Sequence, residues 1–194
     1  DEALDVLTDG IRCTEPERVG MFVTSRGITN ETYYVAGKAA RAMGIANVDS
    51  AARICHAPST TALRSTVGVA ATTCSLSDVL STDLLVIWGA NPANNQPVFM
   101  KYLYKARMNG TRVVVVNPYL EPGLDKYWVP STTESALFGT KMCDLHVPVR
   151  PGGDVAFADA ALKRLIERNG VDAAFIADHT DGWQQVVDAL DAVS

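Results

Sequence analysis

Two unbroken apolar runs, Leu84-Leu-Val-Ile-Trp88 and Val113-Val-Val-Val116, constrain what this chain can fold into more than any other feature. Both are strand length and lack the polar alternation of a strand with one wet face. They are therefore expected to be covered on both faces, as in a parallel sheet sandwiched between helices. Between them lie the turn-rich segment Gly89-Ala-Asn-Pro-Ala-Asn-Asn-Gln-Pro97, a helical pattern from about Val98 to Met108, and Asn109-Gly110 as a stop. This is a βαβ unit. The same grammar precedes it, with an apolar strand at Arg18–Thr24, a loop at Ser25-Arg-Gly27 and a helix from Asn30 to Gly44. Ser59 to Gly68 reads as a further helix, capped by Ser59 or Thr60. After Asn117 an irregular stretch carries Pro122, Gly123, Pro130 and Gly139. A strand at Asp144–Val149, a Pro151-Gly-Gly-Asp154 turn, and helices at about 154–169, 172–177 and 183–192 complete the order. The expected fold is an α/β three-layer sandwich with a mainly parallel, Rossmann-like sheet.

Composition removes several function classes. With 47% apolar residues among 194, the chain can bury a core. Its 17 Lys and Arg against 22 Asp and Glu leave a formal charge of −5, with no basic run, so nucleic acid is not an expected partner. Apolar runs such as Leu84–Trp88 are far short of the ~18 residues of a membrane helix, so no membrane insertion is expected. The start, Asp1, is not followed by a basic segment and an apolar stretch, which predicts a cut chain rather than a signal peptide. Cys13, Cys55, Cys74 and Cys143 stand 42, 19 and 69 positions apart, a spacing that fits neither a zinc finger nor a C-x-x-C redox pair. They are expected to be reduced, mostly buried thiols of a cytoplasmic protein.

In sheets of this kind, ligands bind at the loops leaving the C-terminal strand ends, where helix N-termini present free N–H groups. Three such loops are Ser25–Thr29, Gly89–Gln96 and Asn117–Leu120, with Pro151–Asp154 a fourth. Gly89 permits a tight turn and close backbone approach, Asn91 and Asn94 offer amides, and Pro92 and Pro97 stiffen the loop. Nucleotide binding and plain turn-making both account for these residue types. Neither G-x-G-x-x-G nor a P-loop is present. At Arg53-Ile-Cys55-His56-Ala-Pro58 a thiol and an imidazole are adjacent just before a helix start. Such a thiolate can attack or bind a metal, and the same residue type is also a common buried core filler.

Taken in order, Phe22-Val-Thr-Ser-Arg-Gly27 with Asn30-Glu31, Arg53-Ile-Cys-His-Ala-Pro-Ser-Thr60, Val67-Gly68, Ser77-Asp78-Val79, Leu85-Val-Ile-Trp-Gly-Ala-Asn-Pro92, Val116-Asn-Pro118 and Val149-Arg-Pro-Gly-Gly-Asp154 closely resemble the catalytic chain of molybdopterin oxidoreductases. Within the dimethyl sulfoxide reductase family the resemblance is to the formate dehydrogenase-like branch, and it runs from about Val19 to Trp183. It implies that Cys55 ligates molybdenum or tungsten and that His56 assists proton transfer. A soft thiolate and an imidazole that titrates near neutrality suit those tasks. It further implies that Gly89, Asn91, Pro92, Asn94, Asn117, Pro118, Gly152, Gly153 and Asp154 surround the guanosine end of a bis-molybdopterin guanine dinucleotide cofactor. The implied reaction moves two electrons between a small molecule, such as formate, and an acceptor protein or cofactor.

The family's turn after the Val-rich strand often reads Asp-Pro-Arg, whereas here it is Asn117-Pro118-Tyr119, which removes a charge pair. The family's iron–sulfur cysteines are absent from these residues, so any such cluster would lie outside them. The resemblance thus implies an internal fragment, inactive alone, with residues 1–54 closing a preceding molybdopterin-binding domain and residues 55–194 forming the α/β domain for the dinucleotide. Two other readings stand beside it. One is a non-catalytic relative serving as scaffold in an electron-transfer complex. The other is an unrelated nucleotide-binding α/β domain, such as the central domain of a thiamine diphosphate enzyme, which leaves Cys55-His56 without a role.

Overall fold

The computed structural model describes residues 1–129 and 132–192, and the chain divides into two compact units, Asp1–Thr73 and Cys74–Ser194. The first opens with helix α1 (Glu2–Arg12), which is not among the expected elements although Leu4, Leu7 and Ile11 recur at helical spacing. Strand β1 (Gly20–Val23) then leads through helix α2 (Asn30–Ala42) to strand β2 (Asn47–Ser50), which pairs in parallel with β1 from Gly20↔Asn47 to Val23↔Ser50. Thr29 fixes the start of α2, its hydroxyl accepting from the N–H of Thr32 at 3.4 Å. Two helices follow, α3 (Ala52–Cys55) and α4 (Ala57–Thr66). Helix α4 begins earlier than expected, with His56 at the cap position. Pro58 is tolerated in its first turn, which places Ser59 and Thr60 inside the helix rather than at its cap.

The second unit contains the expected βαβ grammar. Strand β3 (Leu84–Trp88), the short helix α5 (Pro92–Asn95), helix α6 (Pro97–Met108) and strand β4 (Arg112–Val116) come in that order. Helix α7 (Pro122–Asp125), strand β5 (Lys126–Tyr127), helix α8 (Thr133–Phe138) and strand β6 (Thr140–Lys141) occupy the stretch expected to be irregular, where Pro130 lies outside the described residues. Strand β7 (Leu145–Val147) and helices α9 (Asp154–Glu167), α10 (Ala173–His179) and α11 (Trp183–Asp191) complete it. Strands β3, β4 and β7 form a parallel sheet in that order, while β5 and β6 make a small antiparallel pair. The architecture is α/β with mainly parallel sheets, as expected.

Met100 and Leu103 of α6 pack against Ile87, Val113 and Val115 to form the core, which Leu124, Val129, Met142 and Cys143 extend. The seam between β4 and β7 is pinned at its start. Asp144 accepts from the Val113 N–H at 2.7 Å and pairs with Arg107, and the guanidinium beside it holds its carboxyl below the usual carboxylate range. Burial pushes the neighbouring Cys143 thiol upward.

Two expectations are corrected. Strand β4 is covered on both faces, but β3 lies at a sheet edge and shows its second face, with Leu84 53% and Trp88 40% exposed. An unbroken apolar run does not distinguish a central strand from an edge strand. The cysteines are not mostly buried either. Cys13, Cys55 and Cys74 are exposed and Cys143 is buried, because burial of a small thiol is decided by tertiary packing that spacing does not encode. Among the described residues, no helix is long and apolar enough to cross a membrane.

Candidate functional site

The C-terminal ends of β3 and β4 meet at a cavity of about 370 Å³ lined by Gly89, Asn91, Asn95, Asn117, Pro118 and Glu121, among others. Gly89 turns the chain out of β3 at φ +62°, a conformation that favours glycine, while its N–H donates to the carbonyl of Val116 at 3.0 Å. Asn117, 5% exposed, ties the two strand ends together. Its Oδ1 accepts from the Ala90 N–H at 3.2 Å and its Nδ2 donates to the Ala90 carbonyl at 3.0 Å. His146 approaches from β7, its Nε2 lying 2.9 Å from the Asn117 carbonyl. The Asn117 side chain is thus spent on the fold.

Asn91 differs. Its Oδ1 is buried and, among the described residues, has no hydrogen-bond partner. A buried amide oxygen without a donor costs on the order of 1–3 kcal/mol, so its presence calls for an explanation. Pro92 is buried at the first position of α5, setting the direction of the turn. Asn94 is exposed and its N–H bonds the Asn91 carbonyl at 3.1 Å, and it is Asn95 that lines the cavity instead.

The fourth expected loop is joined to the same sheet edge from β7. Gly152 adopts φ +82° and Gly153 caps α9, where an added Cβ would lie 3.0 Å from the Arg150 carbonyl oxygen. Asp154 reaches the end of β3, its Oδ1 accepting from the Trp88 indole N–H at 2.7 Å, and Phe157 meets the Trp88 ring edge-on with centroids 5.4 Å apart. This contact links residues 66 positions apart, and no local pattern announces it.

Cys55 and His56 belong to the first unit. Cys55 ends α3 and His56 stands between the two helices with φ −143°, and both side chains are exposed. The backbone beneath them is held locally. Ser50 Oγ accepts from the Ala52 N–H at 3.1 Å, and Arg53 bridges Asp49 at 2.6 Å. Cys55 is exposed here, whereas a core filler would be buried. Ala90, Asn95, Tyr119 and Glu121 line the cavity without having been among the predicted site residues, and of these Glu121 also lies outside the expected loops. Pro122, which marks Glu121 as a helix-capping residue, was the available signal.

Comparison with known proteins identifies the family. The family model described as molybdopterin oxidoreductase matches residues 1–193. The chain is 31% identical over 190 residues to formate dehydrogenase H of Escherichia coli, covering 95% of this chain and 24% of that protein. It is 30% identical over 190 residues to the F420-dependent formate dehydrogenase 2 alpha subunit of Methanococcus maripaludis, covering 98% of this chain and 26% of that one. An assimilatory nitrate reductase of Haloferax mediterranei is 33% identical over 182 residues, covering 93% and 23%. Acetylene hydratase from Pelobacter acetylenicus shares the fold, with a TM-score of 0.60 at 21% identity over 98% of this chain and 24% of that one. The chain spans about a quarter of the length of the relatives it matches. By fold, by motif order and by family match, it belongs to the molybdopterin oxidoreductases.

Proposed function

We propose that these residues are the part of a formate dehydrogenase-like enzyme that presents a metal-ligating thiolate at Cys55 and cradles the guanosine end of a molybdopterin guanine dinucleotide in the cavity beyond β3 and β4. The observation that carries the nucleotide half is the buried, partnerless Oδ1 of Asn91 in a cavity at the C-terminal sheet edge, where parallel α/β sheets take nucleotides. A ligand N–H or O–H donor there would remove the penalty. The donor set also fits the metal half, because an exposed thiol can reach a ligand without displacing core packing. When bound, the pterin-held molybdenum or tungsten supplies the two-electron chemistry.

In this reading Cys55 provides a soft anionic sulfur, and His56 beside it accepts a proton from the substrate. Gly89 brings backbone close to the ligand, Asn117 ties the ends of β3 and β4 together beside Pro118, and Gly152, Gly153 and Asp154, which do not line the cavity, would meet the cofactor from the loop after β7. Electrons pass onward to an acceptor protein or cofactor. Formate is the first substrate to assay, in view of the formate dehydrogenases among the relatives, and nitrate the second, in view of the nitrate reductase. The test is elemental and nucleotide analysis of the purified full-length protein. Molybdenum or tungsten together with GMP released by acid hydrolysis is expected, and a protein lacking both would contradict the reading.

A further inference from the structure

The cavity holds a second group that the fold leaves unused. Glu121 is half-buried, four positions past Asn117, and its carboxylate makes no hydrogen bond or ion pair among the described residues. It does not cap α7 with its side chain, although its backbone carbonyl accepts from Leu124 and Asp125 at 2.8 and 3.1 Å. Among the described residues lining the cavity, Glu121 is the one charged side chain. A carboxylate lining the same cavity as the orphaned Asn91 oxygen repels a phosphate and attracts N–H and O–H donors. The phosphates of any nucleotide must therefore lie elsewhere, with the base or ribose in the cavity.

We propose that Glu121 is the residue by which this cavity selects guanine. This rests on the reading that the cavity takes the nucleotide end of the cofactor. Guanine presents N1–H and N2–H₂ side by side, and a planar carboxylate accepts both at once in a charge-assisted pair. Adenine and cytosine each place one amino donor beside a ring-nitrogen acceptor, which would face a carboxylate lone pair. A site built around such a pairing rejects the wrong base strongly, because its buried acceptors are then left unpaired. The Asp-Pro-Arg charges missing at Asn117-Pro118-Tyr119 are thus partly replaced by an acid a turn later in the chain.

The experiment compares full-length wild type, Glu121→Gln and Glu121→Asp for nucleotide released per polypeptide, with circular dichroism confirming that each is folded. Wild type should release GMP and not CMP. Glu121→Gln should release about tenfold less, since its amide N–H opposes the guanine donors, while Glu121→Asp keeps part of the content. With cofactor-free protein, GMP should bind about tenfold more tightly than IMP, which lacks the N2 amino group. Normal GMP content in Glu121→Gln overturns the role of Glu121 alone. IMP binding as well as GMP while 2′-deoxy-GMP weakens would assign the carboxylate to ribose and overturn it too. A wild type that releases CMP, or no nucleotide, would defeat the underlying reading and this one with it.

Discussion

Between residues 1 and 73 only Ala40 and Ile45 are buried among the described residues, whereas the second unit closes a continuous core around Met100, Leu103, Val113, Val115 and Met142. The contrast bears on how each half of the proposed site is held. The cavity beyond β3 and β4 is fixed by that core and by the Asn117–Ala90 bridge, so its geometry is a property of the second unit itself. The Cys55-His56 segment rests on short-range contacts around Asp49, Ser50 and Arg53, with Ile54 beside it 87% exposed. One half is built by packing and the other is displayed.

If that contrast is right, the largest functional effect comes from the residue with the smallest structural one. In the full-length protein, Cys55→Ser should reduce metal-dependent dye reduction to background, on the order of 1,000-fold or more, while stability changes by less than about 0.5 kcal/mol. Activity assay and thermal melting check the two arms. The largest stability effect is expected in the core of the second unit. Leu103→Ala, at a fully buried site, should cost about 2–5 kcal/mol in urea unfolding, against under about 0.5 kcal/mol for Ile54→Ala. Equal costs at the two positions would erase the distinction between the regions.

Gly89→Val falls between structure and function. A β-branched residue at φ +62° is strained by about 1–3 kcal/mol, and the displaced turn should lower the cofactor content measured by released GMP. Normal content in the folded variant would separate the cavity from the nucleotide. The smallest effect is at the β4–β7 seam. Asp144→Asn should cost about 1 kcal/mol, discounted because the carboxylate is partly exposed. The carboxyl of Asp144 is held below its ordinary value of 3.8, so the stability it contributes is complete above that pH and is lost as pH falls through the lower folded value. Acid titration of wild type against Asp144→Asn should therefore show the stability difference shrinking as pH falls below 3.8 and vanishing below the lowered folded value.

Much of the fold was legible because its strands and stops are local. The Val113–Val116 run, the Asn109-Gly110 stop and the Gly89 turn are each written in consecutive residues, and the structure places them as expected. Helices α5 and α7, four residues each, carry too little periodicity to be read, and α1 went unread although its residues are helical. The site was legible as loops but not as partnerships. That Asn117 is committed to Ala90, that Asp154 is committed to Trp88 and that Asn91 is left orphaned are facts of tertiary placement. Cys55 drew notice through its His56 neighbour, yet its exposure depends on what the rest of the unit does not cover.

The central claim is that the sulfur of Cys55 binds the metal. X-ray absorption at the molybdenum or tungsten edge of the full-length protein, compared between wild type and Cys55→Ser, addresses it directly. The account predicts one fewer sulfur scatterer in the variant at equal metal content. An unchanged sulfur shell in a metal-loaded Cys55→Ser protein would contradict it.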